Sequence, residues 1–116
     1  MLQPCLKYKM KFEYYQKKAK KTAIYPKIDK GWEYPALGLA GEVGELLNKL
    51  KKIHRDNVNV KDIKKDIKAE LGDVLWYVAM IASEFKINLN DVAVGNLLKL
   101  STRMRLSKLH GKGDYR

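Results

Sequence analysis

The chain has 116 residues and a formal net charge of +11, with 46% hydrophobic and 32% charged residues. That length suits one domain, residues 1–116, built on one hydrophobic core. No stretch approaches the roughly 20 apolar residues that a membrane helix needs, and the lysine-interrupted amino terminus lacks the apolar block of a secretory signal. Cys5 is the only cysteine, which excludes an internal disulfide and a cysteine-rich zinc site and fits a reducing cytoplasm.

Helical spacing dominates, and four helices are expected in chain order. The first, about Leu6 to Thr22, sets Tyr8, Phe12, Tyr15 and Ala19 in an apolar stripe opposite lysines. Pro26, Asp29, Gly31 and Pro35 disfavour continuous helix and predict an ordered loop. A second helix begins near Pro35 and carries Leu39, Val43, Leu46, Leu47 and Leu50 toward Lys52 or His54; residues 55–59 turn the chain. The third, about Val60 to Phe85, changes midway from lysine-rich to nearly all apolar, so its second half should be central, Trp76 included. Asn88 or Asn90 caps a fourth helix running to about Leu109. The expected fold is an all-α antiparallel bundle of about four helices. So short a bundle leaves apolar surface uncovered, which predicts a homodimer or a dimer of dimers.

Within these helices two acidic pairs stand out, Glu42 with Glu45 and Glu70 with Asp73. An i, i+3 spacing puts both members on one helix face, and two such helices packed antiparallel would aim four carboxylates at one place. Residues 31–48 and 69–91, which hold the pairs, are net negative, whereas the segments on every side are net positive. Basic surroundings of this kind concentrate a polyanion near an acidic site. Either pair alone is a weak signal, since acids three apart arise on any solvated face. Here, however, they interrupt apolar and glycine-rich stretches, where carboxylates repel one another and a cation relieves the repulsion. Mg²⁺ suits an all-oxygen ligand set, with Mn²⁺ a substitute. A di-iron bundle needs Glu-x-x-His pairs, which are absent. His54 and His110 fall at helix ends or beyond and read as structural or solvent-exposed. Three glycines, Gly38, Gly41 and Gly44, stand inside the second helix and Gly72 inside the third; each weakens a helix, which suggests close approach by a backbone, side chain or ligand.

The segments 38–46 (GLAGEVGEL), 68–77 (KAELGDVLWY) and 96–103 (NLLKLSTR) together resemble the MazG-like all-α nucleoside triphosphate pyrophosphohydrolases. Residues 22–26 and the closing residues 111–116 are similar to one branch of that family. The resemblance implies Mg²⁺-dependent hydrolysis of a nucleoside triphosphate between its α and β phosphates. It carries over Glu42, Glu45, Glu70 and Asp73 as metal ligands, with Glu42 or Glu45 also activating water. It further implies Lys99 and Arg103 as phosphate-binding cations and Asn96 as a sugar or phosphate contact, with a local cap or helix–helix hydrogen bond as the alternative for Asn96. Lys49 can reach a phosphate or pair with Glu45, and Tyr77 can place its hydroxyl beside the metal or simply pack in the core. Trp32 can stack on a nucleobase or anchor its loop, and Lys112, Asp114 and Arg116 can close over the triphosphate. Two other classes fit less well: a basic nucleic-acid-binding protein, which lacks any base-reading element, and a pyrophosphohydrolase of a pathway nucleotide such as phosphoribosyl-ATP. Neither a membrane nor a nucleic acid is required by the principal reading.

Overall fold

The computed structural model describes residues 10–106. Four helices and no strand occur among them: α1 (Phe12–Lys20), α2 (Glu33–Arg55), α3 (Val60–Glu84) and α4 (Leu89–Arg105). No helix there is long and apolar enough to cross a membrane. The all-α bundle expected from periodicity is therefore present. Cys5, Tyr8, His110 and the closing Lys112, Asp114 and Arg116 lie outside the described residues.

Two helix ends differ from expectation. Lys11 is extended (φ −116°, ψ 154°) and contributes no side-chain cap, so α1 starts at Phe12 rather than near Leu6. Helix α4 closes at Arg105, four residues before Leu109, with Leu106 as its C-cap. At the start of α2, Glu33 and Tyr34 are already helical, and Pro35 sits in the first turn, where its missing N–H costs nothing.

The turns have local causes. Asn57 takes a left-handed conformation (φ 51°), and the Asn59 side chain accepts the Lys61 N–H at 2.9 Å to cap α3. His54 is exposed in the last turn of α2 beside Lys52 and Arg55, where positive charge complements the helix dipole. At the end of α3, Lys86 is left-handed (φ 57°), the Lys86 N–H reaches the Ser83 carbonyl at 3.0 Å and the Ile87 N–H reaches Ala82 at 2.8 Å. This closes the helix in a Schellman pattern. Asn88 then caps α4 by accepting the Asn90 N–H at 2.8 Å.

Helices α2 and α3 form an antiparallel hairpin, α1 lies across α3, and α4 packs on α1 and the end of α3. The core is small: Ala19, Tyr25, Ala79, Met80, Ala82 and Leu89 are buried together, with Tyr15, Ala23, Ile28, Trp76 and Val78 packed against them. Alanines at the crossing let α1 and α3 approach closely around Met80. Gln16 fastens the corner, donating to Ser83 Oγ at 3.1 Å and the Ile87 carbonyl at 2.9 Å while accepting the Leu89 N–H at 2.8 Å. Of the expected α1 stripe, Ala19 is buried but Phe12 is exposed. Met80 is fully buried at the centre of this small core, so Met80→Ala should lower unfolding free energy by about 2–4 kcal/mol in a urea titration.

Candidate active site

The hairpin register builds the site. Gly38 and Tyr77, Glu42 and Asp73, and Glu45 and Glu70 are each equidistant in sequence from the turn at Asn57 and Val58. Antiparallel pairing therefore sets these residues opposite one another. A Cβ built on Gly38 would stand 2.1 Å from Tyr77 Cε1 and 2.4 Å from Cζ, so the tyrosine ring occupies the space that any side chain at position 38 would fill. One turn further along each helix, Glu42 meets Asp73.

Oxygens of Glu42, Glu70 and Asp73, one from each, lie within 4.8 Å of one another. Glu42 and Glu70 are half-buried and Asp73 is exposed. Burial pushes the Glu42 carboxyl above its ordinary value, and the neighbouring Asp73, Glu70 and Glu45 carboxylates push it further the same way. Such a trio of hard oxygens, one of them resisting ionisation, matches the donor chemistry of a divalent cation site. Glu45 is exposed and stands outside the converging trio. None of the four acids belongs to the buried core, and only Glu42 and Glu70 are even half-buried. Of the apolar stretches that the acids interrupt, Val43, Leu47 and Leu71 face solvent.

Glu42, Asp73, Trp76 and Tyr77 line an open pocket of about 280 Å³. Burial raises the Tyr77 hydroxyl pKa, with Tyr34, Glu42 and Asp73 adding to the effect, which places that hydroxyl in the field of the acids. Trp76 corrects an expectation: it is half-buried and forms a pocket wall rather than lying wholly in the core. Its Nε1 donates to Thr22 Oγ1 at 2.9 Å, its ring meets Tyr77 edge-on at 5.0 Å, and it meets Tyr25 edge-on at 6.3 Å. Tyr25 in turn stacks on Tyr34 at 5.4 Å. Sequence reasoning missed Glu84 and the pairings of Tyr25 with Glu84 and Trp76, which span 50 or more positions and have no periodic signature. The one available signal was the glycine placement, and among the site glycines only Gly38 is tightly packed; Gly41, Gly44 and Gly72 face open space.

The remaining expected residues stand on or beside α2 and α4. Lys49 is half-buried one turn beyond Glu45. Trp32 stands at the start of α2, about 15 Å along the axis from Glu42, where it stacks on Phe85 with centroids 6.4 Å apart. On α4, Asn96 and Lys99 are exposed and Arg103 is buried.

Residues 33–106, which span α2, α3 and α4, match the MazG nucleotide pyrophosphohydrolase domain. The chain belongs to this family. The Gene 37 protein of Mycobacterium phage L5 is 42% identical over 114 residues, covering 92% of this chain and 100% of that protein. No solved structure matches. The acidic trio of this MazG domain thus lies wholly within the matched segment, whereas α1 and Tyr25 lie before it.

Two outcomes follow from this geometry. Gly38→Ala should cost about 1–3 kcal/mol because the new methyl displaces a packed ring, while Gly41→Ala, which meets nothing, should be neutral or stabilising in the same thermal melts. The second concerns pH. Between the ordinary value of 4.5 and its raised folded value, Glu42 binds more protons in the folded chain than in the unfolded chain. Its contribution therefore favours folding as pH falls through that window and is lost as pH rises. In chelator, Glu42→Gln should flatten this slope and melt higher than the parent at neutral pH.

Proposed function

We propose that this protein hydrolyses nucleoside triphosphates between the α and β phosphates, giving a nucleoside monophosphate and pyrophosphate, in the cytoplasm. The observation that carries this reading is the convergence of Glu42, Glu70 and Asp73 from two helices of a MazG domain. These three would hold Mg²⁺, or Mn²⁺ in its place, with Glu45 as a fourth ligand. A bound divalent ion would supply charge neutralisation at the phosphates and a lowered pKa for coordinated water.

The chain's own residues account for the rest. Water attacks phosphorus, its proton passes to a carboxylate, and the bridging oxygen leaves with its electron pair. Glu45, exposed beside the trio but outside it, is assigned the proton-accepting role. Lys49, Lys99 and Arg103 supply cations for phosphate oxygens, arginine with a fork geometry and lysine as a point charge. Asn96 is assigned to the sugar or phosphates, the Tyr77 hydroxyl to the metal-side edge of the substrate, and Trp32 to the base.

A homodimer, or a dimer of dimers, is the assembly this reading favours. Val94, Leu97, Leu98 and Met104 form an exposed stripe on one face of α4, and Leu37, Leu47 and Leu71 are exposed on the hairpin. An unpaired apolar stripe of this kind is costly in water, and a second copy covers it. Light scattering should report at least a dimer, and Leu97→Asp with Leu98→Asp should shift it toward monomer.

The function is tested with a panel of triphosphates, phosphoribosyl-ATP included, in the presence of Mg²⁺. Pyrophosphate release is expected, together with a loss of about 100-fold or more in kcat for Glu42→Gln or Asp73→Asn at preserved helicity. No release from any substrate, with Mg²⁺-independent DNA binding instead, would point to a nucleic-acid-binding protein.

A further inference from the structure

The geometry points to Glu84 as a positioning residue for the nucleotide site, acting through Tyr25 and Trp76 on Tyr77. This rests on the nucleotide reading of the acidic pocket. Glu84 lies at the end of α3, eleven residues and about 16 Å along the axis beyond Asp73, so it has no direct part in the acidic trio. Its carboxylate instead gathers the loop between α1 and α2. Oε2 accepts the Tyr25 hydroxyl and the Asp29 N–H at 2.9 Å, and Oε1 accepts the Gly31 N–H at 3.2 Å. These partners hold the carboxylate below its ordinary pKa despite the opposing effect of burial.

The loop needs such an anchor. Lys27 (φ 57°) and Asp29 (φ 65°) both adopt the left-handed conformation that side chains resist, and Lys20 pairs with Asp29 across the loop's base. What the anchor fixes is a ring system. Tyr25 is 7% exposed, deeper than any other aromatic residue described, and it bridges Tyr34 by stacking and Trp76 by its edge. Trp76 abuts Tyr77, whose ring rests on Gly38. Trp76 and Tyr77 form the aromatic side of the pocket whose acidic side is Glu42 and Asp73. Releasing Tyr25 therefore loosens the wall against which a nucleoside packs, without touching a metal-binding carboxylate.

Glu84→Gln tests this directly, because the new amide would turn one N–H donor toward another. Steady-state kinetics with a hydrolysed triphosphate should show Glu84→Gln raising KM about 5–10-fold with kcat changed less than about twofold. Tyr25→Phe keeps the ring and removes only its hydroxyl, so it should fold normally and raise KM about 2–3-fold. Combining Glu84→Gln with Trp76→Leu should add little to Trp76→Leu alone, since both act on one wall. Unchanged KM in folded Tyr25→Phe and Glu84→Gln, or fully additive effects in the double variant, overturns the assignment. Should Glu84→Gln fail to fold, Tyr25→Phe decides.

A readout independent of turnover is Mn²⁺ quenching of Trp76 emission in a Trp32→Phe background. Glu84→Gln should reduce the quenching amplitude, because Trp76 shifts against the site, and leave the midpoint unchanged. If the parent hydrolyses no triphosphate, the functional reading fails and the quenching result alone decides the positioning role. If the parent hydrolyses triphosphates while quenching and KM are both unmoved in Glu84→Gln, the positioning role fails and the functional reading stands.

Discussion

The contact between the Tyr77 ring and the bare Cα of Gly38 sets the spacing of α2 against α3, and the acidic site depends on that spacing. An alanine methyl at position 38 would overlap the ring and force the helices or the tyrosine to move. Because Glu42 is one turn past Gly38 and Asp73 one turn before Tyr77, any such movement passes straight to the carboxylates. Close packing here and convergence of three acids are thus two consequences of one register. The helical glycine weakens α2 locally, and the ring that fills its place returns packing across the hairpin.

The carboxylates are held together at an electrostatic cost. Burial and three like-charged neighbours oppose ionisation of Glu42, and a small core centred on Met80 and three alanines has to tolerate this. The acids nonetheless sit away from that core, at a pocket open to solvent, which limits the cost. The fold separates the two tasks along α3. Its last turns, around Ala79, Met80 and Ala82, supply cohesion, while the turns around Glu70 and Asp73 carry the acidic cluster. Between them stand Trp76 and Tyr77, which belong to both.

How much was legible in the chain varies with the range of the interaction involved. The Asn59 and Asn88 caps act within two residues, and the second of these was among the two candidates that local chemistry offered for α4. The start of α1 at Phe12 was not legible, because Lys11 turns the chain without a capping side chain. Trp76 was misjudged as core because its apolar sequence neighbours describe a helix without describing what faces it. The Glu84 anchor was invisible for a related reason: its partners, Tyr25, Asp29 and Gly31, are more than fifty residues earlier, and two of them offer backbone N–H groups that carry no side-chain signature.

By itself the sequence determined the all-α class, the placement of two acidic pairs on helix faces, and the turn that sets them opposite one another, because helical periodicity and chain direction are local properties. Only the tertiary structure decided which acids converge. Glu42 and Glu45 differ by about 60° around their helix, and the rotation of α2 against α3 brings Glu42 to Glu70 and Asp73 while leaving Glu45 in solvent. Spacing cannot supply that rotation. It is fixed by packing across the hairpin, where a tyrosine ring fills the place of a missing side chain.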